Sequence, residues 1–259
     1  MWRSINLPLL VILTACSFGP RTPPLNVPPP APPLSNATPS LRVADAALQN
    51  GAPLMALEVA DQALARNGND REALLRKGEA LSMLKRNEEA EAVFTKVLAL
   101  DPGNTRALIG IGRLRLSRDP SSAAESFLKA LARDPRNATA LNDLGIARDL
   151  LGEHDAAQDA YRKALAIAPD DLPARVNLGL SLAVSGHPKE ALDTLRPVVS
   201  MPDLTPRMRQ DLAAALALGG EDDAARALLA KDLDPERVAE AMTGLAVLRS
   251  YSSPAHSGP

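Results

Sequence analysis

Cys16 is the side chain whose surroundings most clearly mark it for chemistry, and it is the only cysteine in the chain. A thiol can join a disulfide, ligate a metal, act as a nucleophile or be acylated. With no second cysteine, an internal disulfide and a thiolate metal cluster are excluded. The histidines, His154, His187 and His256, stand far apart, and none falls in an H-E-x-x-H spacing that would hold zinc. No glycine-rich phosphate loop and no G-x-S-x-G elbow occurs. Acidic and basic residues are plentiful, but their positions in the pattern are those of solvated side chains. The sequence therefore predicts no catalytic residue, no metal site, no cofactor and no small-molecule substrate. Cys16 is then a buried or spare thiol or a site of modification.

The residues before Cys16 say which modification. Met1 to Ala15 carries one basic residue, Arg3, followed by the apolar run Leu7 to Leu13. That run is too short for a bilayer, which needs about 20 residues, and it suits the core of a signal peptide over residues 1–15. It ends Leu13-Thr14-Ala15-Cys16, which resembles the bacterial lipoprotein box. The resemblance implies cleavage before Cys16, diacylglycerol on its sulfur and an acyl chain on its new amino group. One acyl chain binds membrane only marginally, so three should anchor firmly. Ser17 follows where an aspartate would imply inner-membrane retention, so the resemblance favours the outer membrane. Residues 16–39 then hold Pro23-Pro24, Pro28-Pro29-Pro30 and Pro32-Pro33. A stretch this poor in amide donors prefers extended polyproline II and reads as a tether, at about 3.1 Å per residue.

The remainder must be helical. Alanine and leucine dominate, aromatics are only 2%, and β-branched alternation is largely absent, which argues against sheets. A net charge of −2 with so few aromatic rings gives no basic, stacking surface for nucleic acid. From Ala138 to Asp171, Leu141, Leu144, Gly145 and Arg148 recur at helical spacing. Leu151-Gly152-Glu153-His154 makes a turn, Ala157, Tyr161 and Ala164 mark a second helix, and Pro169 stops it. This unit resembles a tetratricopeptide (TPR) repeat, whose period is about 34 residues. The resemblance implies an all-α TPR α-solenoid: a right-handed superhelix of antiparallel helix pairs, each too small to bury its apolar face alone.

The pattern places repeats at about 37–70, 71–104, 105–137, 138–171, 172–205 and 206–234. A capping helix follows at 235–249 with Val238, Ala241, Leu245 and Leu248 on one face, so the TPR domain spans 40–249. Residues 250–259 are polar and expected to be disordered. The third repeat has a turn one residue short near Asp119-Pro120. Pro197 falls inside the second helix of the fifth, where a proline costs about 3 kcal/mol and predicts a kink or early end.

In the TPR family the first helices line a ligand groove. The corresponding positions are Glu79 and Met83; Ile109, Arg113 and Leu116; Asn142, Ile146 and Asp149; Val176, Asn177 and Leu180. This mixture suits an extended peptide or an amphipathic helix, with half or more of the side chains expected to pack between repeats. The lysines of the basic clamp that some members use for a C-terminal carboxylate are missing. The run Pro206 to Ala213, then Asp232-Leu233-Asp234-Pro235-Glu236, then Leu245 to Arg249, is similar to the TadD lipoproteins of tight-adherence (Flp) pilus assembly. That resemblance implies a non-enzymatic, periplasm-facing outer-membrane scaffold assisting the pilus secretin or another pilus component. The alternative is a general cell-envelope adaptor recruiting peptidoglycan hydrolases or proteases.

Overall fold

A computed structural model of the protein describes residues 39–199, 201 and 204–252. Cys16, the proline-rich stretch up to residue 38, His256 and most of the C-terminal tail lie outside them. The described residues are all-α. The first helices run α1 Pro39–Gln49, α2 Pro53–Arg66, α3 Arg71–Met83, α4 Asn87–Leu100, α5 Thr105–Arg115 and α6 Pro120–Arg133. They continue as α7 Ala138–Leu150, α8 His154–Ile167, α9 Leu172–Val184, α10 Pro188–Val199, α11 Pro206–Leu218, α12 Asp222–Leu229 and α13 Pro235–Ser252. The chain divides after Pro135 into two compact units, one holding α1–α6 and the other α7–α13.

Side-chain caps start α3, α5, α7, α9 and α11. Asp70 accepts from the amides of Glu72 and Ala73, Asn104 from Ala107, Asn137 from Ala140, Asp171 from Ala174 and Thr205 from Met208. Each satisfies a backbone donor that the helix itself cannot, a contribution of about 1 kcal/mol apiece. The turns inside hairpins are tightened by a left-handed residue: Gly51, Lys85, Gly152, Gly186 and Gly220. Only Lys85 pays a side-chain penalty for that conformation. The connection between α5 and α6, residues 116–119, has no such residue and is one residue longer than the other hairpin turns, which corrects the expected short turn. The missing residue comes out of α5, 11 residues long where α3, α7 and α9 have 13. Asp119 caps α6, accepting from Ser122, with Pro120 beginning the helix.

In the α1–α6 unit the core is built by glycines opposite rings. A methyl group on Gly78 or on Gly110 would lie 2.6 Å from the Phe94 ring, so Phe94 is wedged between α3 and α5. Around it Leu74, Leu75, Leu81, Ala90, Val97, Ala107, Ile111 and Leu114 form one buried cluster. Gly112 makes the same approach to Phe127. The α7–α13 unit repeats the device with Gly145 against Tyr161 and Gly179 against Leu195.

Pro197 stands inside α10, and the helix continues through it to Val199; Ser200, next in the chain, lies outside the described residues. On α13 the inward face is Val238, Met242, Leu245 and Leu248; Met242 rather than Ala241 is the buried member. Arg249 fastens this helix, donating to the Ala217 carbonyl at 2.8 Å and to Asp222 at 2.7 Å.

The glycine–ring contacts leave no room for growth. Gly145→Ala would drive a methyl into a Tyr161 ring already fixed by packing and a hydrogen bond, and is expected to destabilise by about 1–3 kcal/mol. Gly152→Ala, in open space but left-handed, should cost about 1 kcal/mol. Urea denaturation of the two variants checks the order.

Candidate functional site

The first-helix faces of the α1–α6 unit carry a continuous chain of charges. Arg76 on α3 donates from Nε to Asp45 of α1 at 2.9 Å and from Nη2 to the same carboxylate at 3.1 Å. It also pairs with Glu72, one turn earlier on α3. Glu72 in turn accepts from Arg106 of α5 at 3.3 Å, and Arg106 reaches Glu79 at 2.9 Å. Three non-consecutive helices are thereby joined on one face.

Arg76 is only 2% exposed. Burial works against its charge, and the hydrogen bonds and negative charges of Asp45 and Glu72 outweigh that, holding the guanidinium above the ordinary arginine value. This corrects the sequence-based expectation that the charged residues lie at solvated positions. Arg76 lies between Leu75 and Gly78 on the apolar stripe of α3, and that placement is the signal that could have revealed it.

The α7–α13 unit uses amides, hydroxyls and one carboxylate on its first-helix faces. Asn177 of α9 donates to Asn142 of α7 at 2.9 Å. Asp149, 4% exposed, accepts from Tyr161 at 2.9 Å and from Ser181 at 2.7 Å, and its other neighbour is His154 Nδ1 at 2.9 Å. One carboxylate thus ties α7, α8 and α9 together. The hydrogen bond and charge of Asp149 hold the His154 imidazole above its ordinary pKa of 6.5, against partial burial. Beside it Gln158 donates to Ser185, which contacts His187 at 3.1 Å.

The eleven groove positions divide by accessibility. Ile109, Leu116, Ile146, Asp149, Val176, Asn177 and Leu180 are buried, and they pack or hydrogen-bond within the protein. Solvent reaches Glu79, Met83, Arg113 and Asn142. Glu79 is committed to Arg106, and the Asn142 carbonyl to Asn177. Among the described residues no cluster of three or more His, Cys, Asp or Glu is placed to hold a metal, and no helix is long and apolar enough to cross a membrane. The geometry offers hydrogen-bonding and ion-pairing surface.

The tetratricopeptide repeat family matches residues 41–105 and 111–171. These helical pairs are tetratricopeptide repeats. Among solved structures, PilW, described as a widely conserved type IV pilus biogenesis factor, aligns with a TM-score of 0.67 over 80% of this chain and 96% of its own, at 20% identity. MamA from Desulfovibrio magneticus RS-1 aligns at 26% identity and a TM-score of 0.53, over 61% of this chain and 90% of its own. The FK506-binding protein-like protein of Mus musculus is 38% identical over 90 residues, 35% of this chain. The chain spans about a quarter of that relative's length (26%). The TPR fold supports protein partners in general.

Two measurements probe the polar faces. Arg76→Ala strands Asp45 and Glu72 and should cost about 1–3 kcal/mol, below the ~3–5 of a fully buried pair because both carboxylates can rehydrate. Stability should also fall as pH rises above 6.5, as His154 loses its proton in the folded state. The sign follows because the folded protein binds that proton more tightly than the unfolded chain. Urea midpoints across neutral pH should show this slope, and His154→Asn should flatten it.

Proposed function

We propose that this protein is a non-enzymatic, lipid-anchored scaffold of the bacterial outer membrane, facing the periplasm, that holds protein segments during assembly of a tight-adherence (Flp) pilus. Cys16 carries the lipid, residues 16–39 set the reach, and the first-helix faces bind a segment of the secretin or another pilus component. The observation that carries this reading is the pairing of Leu13-Thr14-Ala15-Cys16 with TPR hairpins whose polar faces join recognition groups. The pilus assignment rests on the C-terminal run through Asp232-Leu233-Asp234-Pro235 to Arg249. PilW's described role in pilus biogenesis agrees with it, though at 20% identity that likeness is one of fold.

Cys16→Ser, expressed in the native host, should leave the outer-membrane fraction and reduce piliation; normal fractionation with normal pili would remove the anchor from this reading. Arg113→Glu and Asn142→Ala, tested separately, should each weaken partner pull-down about tenfold, corresponding to loss of about 1.4 kcal/mol. Recovery of a peptidoglycan hydrolase or protease in place of pilus components would point to the envelope-adaptor alternative.

A further inference from the structure

The repeats of this chain serve as their own alignment. Each second helix begins its buried face with an alanine: Ala56 on α2, Ala90 on α4, Ala123 on α6, Ala157 on α8, Ala191 on α10 and Ala225 on α12. The two residues before that alanine start the helix on its solvent side. In five of the six helices they are polar or small: Glu88-Glu89, Ser121-Ser122, Asp155-Ala156, Lys189-Glu190 and Asp223-Ala224. Acidic and hydroxyl side chains suit this place, because the helix N-terminus favours negative charge and leaves free amides. On α2 the pair is Leu54-Met55. Leu54 is 69% exposed and Met55 54%, so neither is recruited into the core and both forgo the favourable end effect.

Leu54 also begins a shallow, open trough of about 530 Å³ that runs along α2 over Leu57, Glu58, Asp61, Gln62 and Ala65. The trough begins at an apolar end, Leu54 and Leu57, and passes two carboxylates, Glu58 and Asp61, before Gln62 and Ala65. Asp61 shares its charge with Lys77 of α3 at 2.6 Å. Glu58 has no cationic partner among the described residues; its carboxylate meets only the Gln62 amide, at 3.4 Å. A large apolar pair beside an uncompensated carboxylate is a surface for apolar side chains accompanied by a positive charge.

We infer that the outer face of α2 is a second protein-docking surface, and that its occupant is a short amphipathic segment presenting leucine-like side chains and a lysine or arginine opposite Glu58. The surface lies on a second helix, apart from the first-helix faces of the proposed scaffold function, and does not depend on that function. Leucine-like groups cover Leu54, Met55 and Leu57, and the cation replaces water at Glu58. A segment of the same pattern with acidic residues is repelled.

The test uses the full-length protein and two labelled synthetic helices of one amphipathic pattern, one of leucine and lysine, the other of leucine and glutamate. Fluorescence anisotropy should show saturable binding of the leucine–lysine helix only. Leu54→Glu with Met55→Glu, which gives α2 the start found on α4, should weaken that binding at least tenfold with the thermal unfolding midpoint unchanged. Glu58→Lys should weaken it too and admit the glutamate helix. An Arg113→Glu variant should bind the leucine–lysine helix normally, which separates this surface from the proposed groove. Several results would overturn the inference. They are no binding, equal affinity for wild type and the double variant, equal binding of the glutamate helix, and a concentration-dependent dimer abolished by the double variant, which would make the occupant a second copy. Binding that appears only after deletion of residues 17–38 would also overturn it, because the chain's own segment would then hold the surface.

Discussion

A glycine on one helix pressed against a bulky apolar side chain of its partner is the contact on which the four central hairpins depend. Gly78 meets Phe94, Gly112 meets Phe127, Gly145 meets Tyr161 and Gly179 meets Leu195. Missing methyls bring the backbones close enough for a ring to fill the gap, at the density that interiors require. Phe94 does more, because Gly110 of α5 presses on its other side. The ring that closes one hairpin also seats the first helix of the next, which is how units too small to bury their own faces become stable. The first and last hairpins relax the rule: Ala44 and Ala60, and Ala213 and Leu229, occupy the corresponding places.

Polar groups then decide how the first helices are held side by side. In the α1–α6 unit the charges of Asp45, Arg76, Glu72, Arg106 and Glu79 run from α1 through α3 to α5. In the α7–α13 unit amides and hydroxyls gather on Asn142 and Asp149. Both solutions satisfy buried polar atoms, and both occupy groups that a bound segment would use. A ligand on these faces must exchange partners with the protein rather than fill vacant sites. The net gain from such an exchange is modest, since each new hydrogen bond replaces an existing one.

Much of this was legible before any coordinates. Asp70, Asn104, Asn137, Asp171 and Thr205 recur at nearly constant spacing, and each starts a helix because its short oxygen-bearing side chain meets a free amide. The missing residue before Asp119 was visible as a break in that spacing, and Pro197 as a proline inside a helix. The candidate groove was legible only as a set of positions. Helical phase says which residues share a face, but not how deeply neighbouring helices press on it. Seven of the eleven chosen positions are consequently buried, and the buried Arg76 was passed over because its charge suggested solvent.

Local chemistry alone settled the helices, their caps, their turns and their period, since each follows from residues a few positions apart. It also isolated Cys16 and the apolar run before it. Only the packed structure decided that Arg76 is enclosed by Asp45 and Glu72, that Asp149 gathers Tyr161, Ser181 and His154, and that Leu54 and Met55 stay outside the core. These outcomes depend on contacts between helices, some of them about one repeat apart, as Arg76 with Asp45 and Asp149 with Ser181, and a side chain's solvation is set by what stands across from it rather than by its own type.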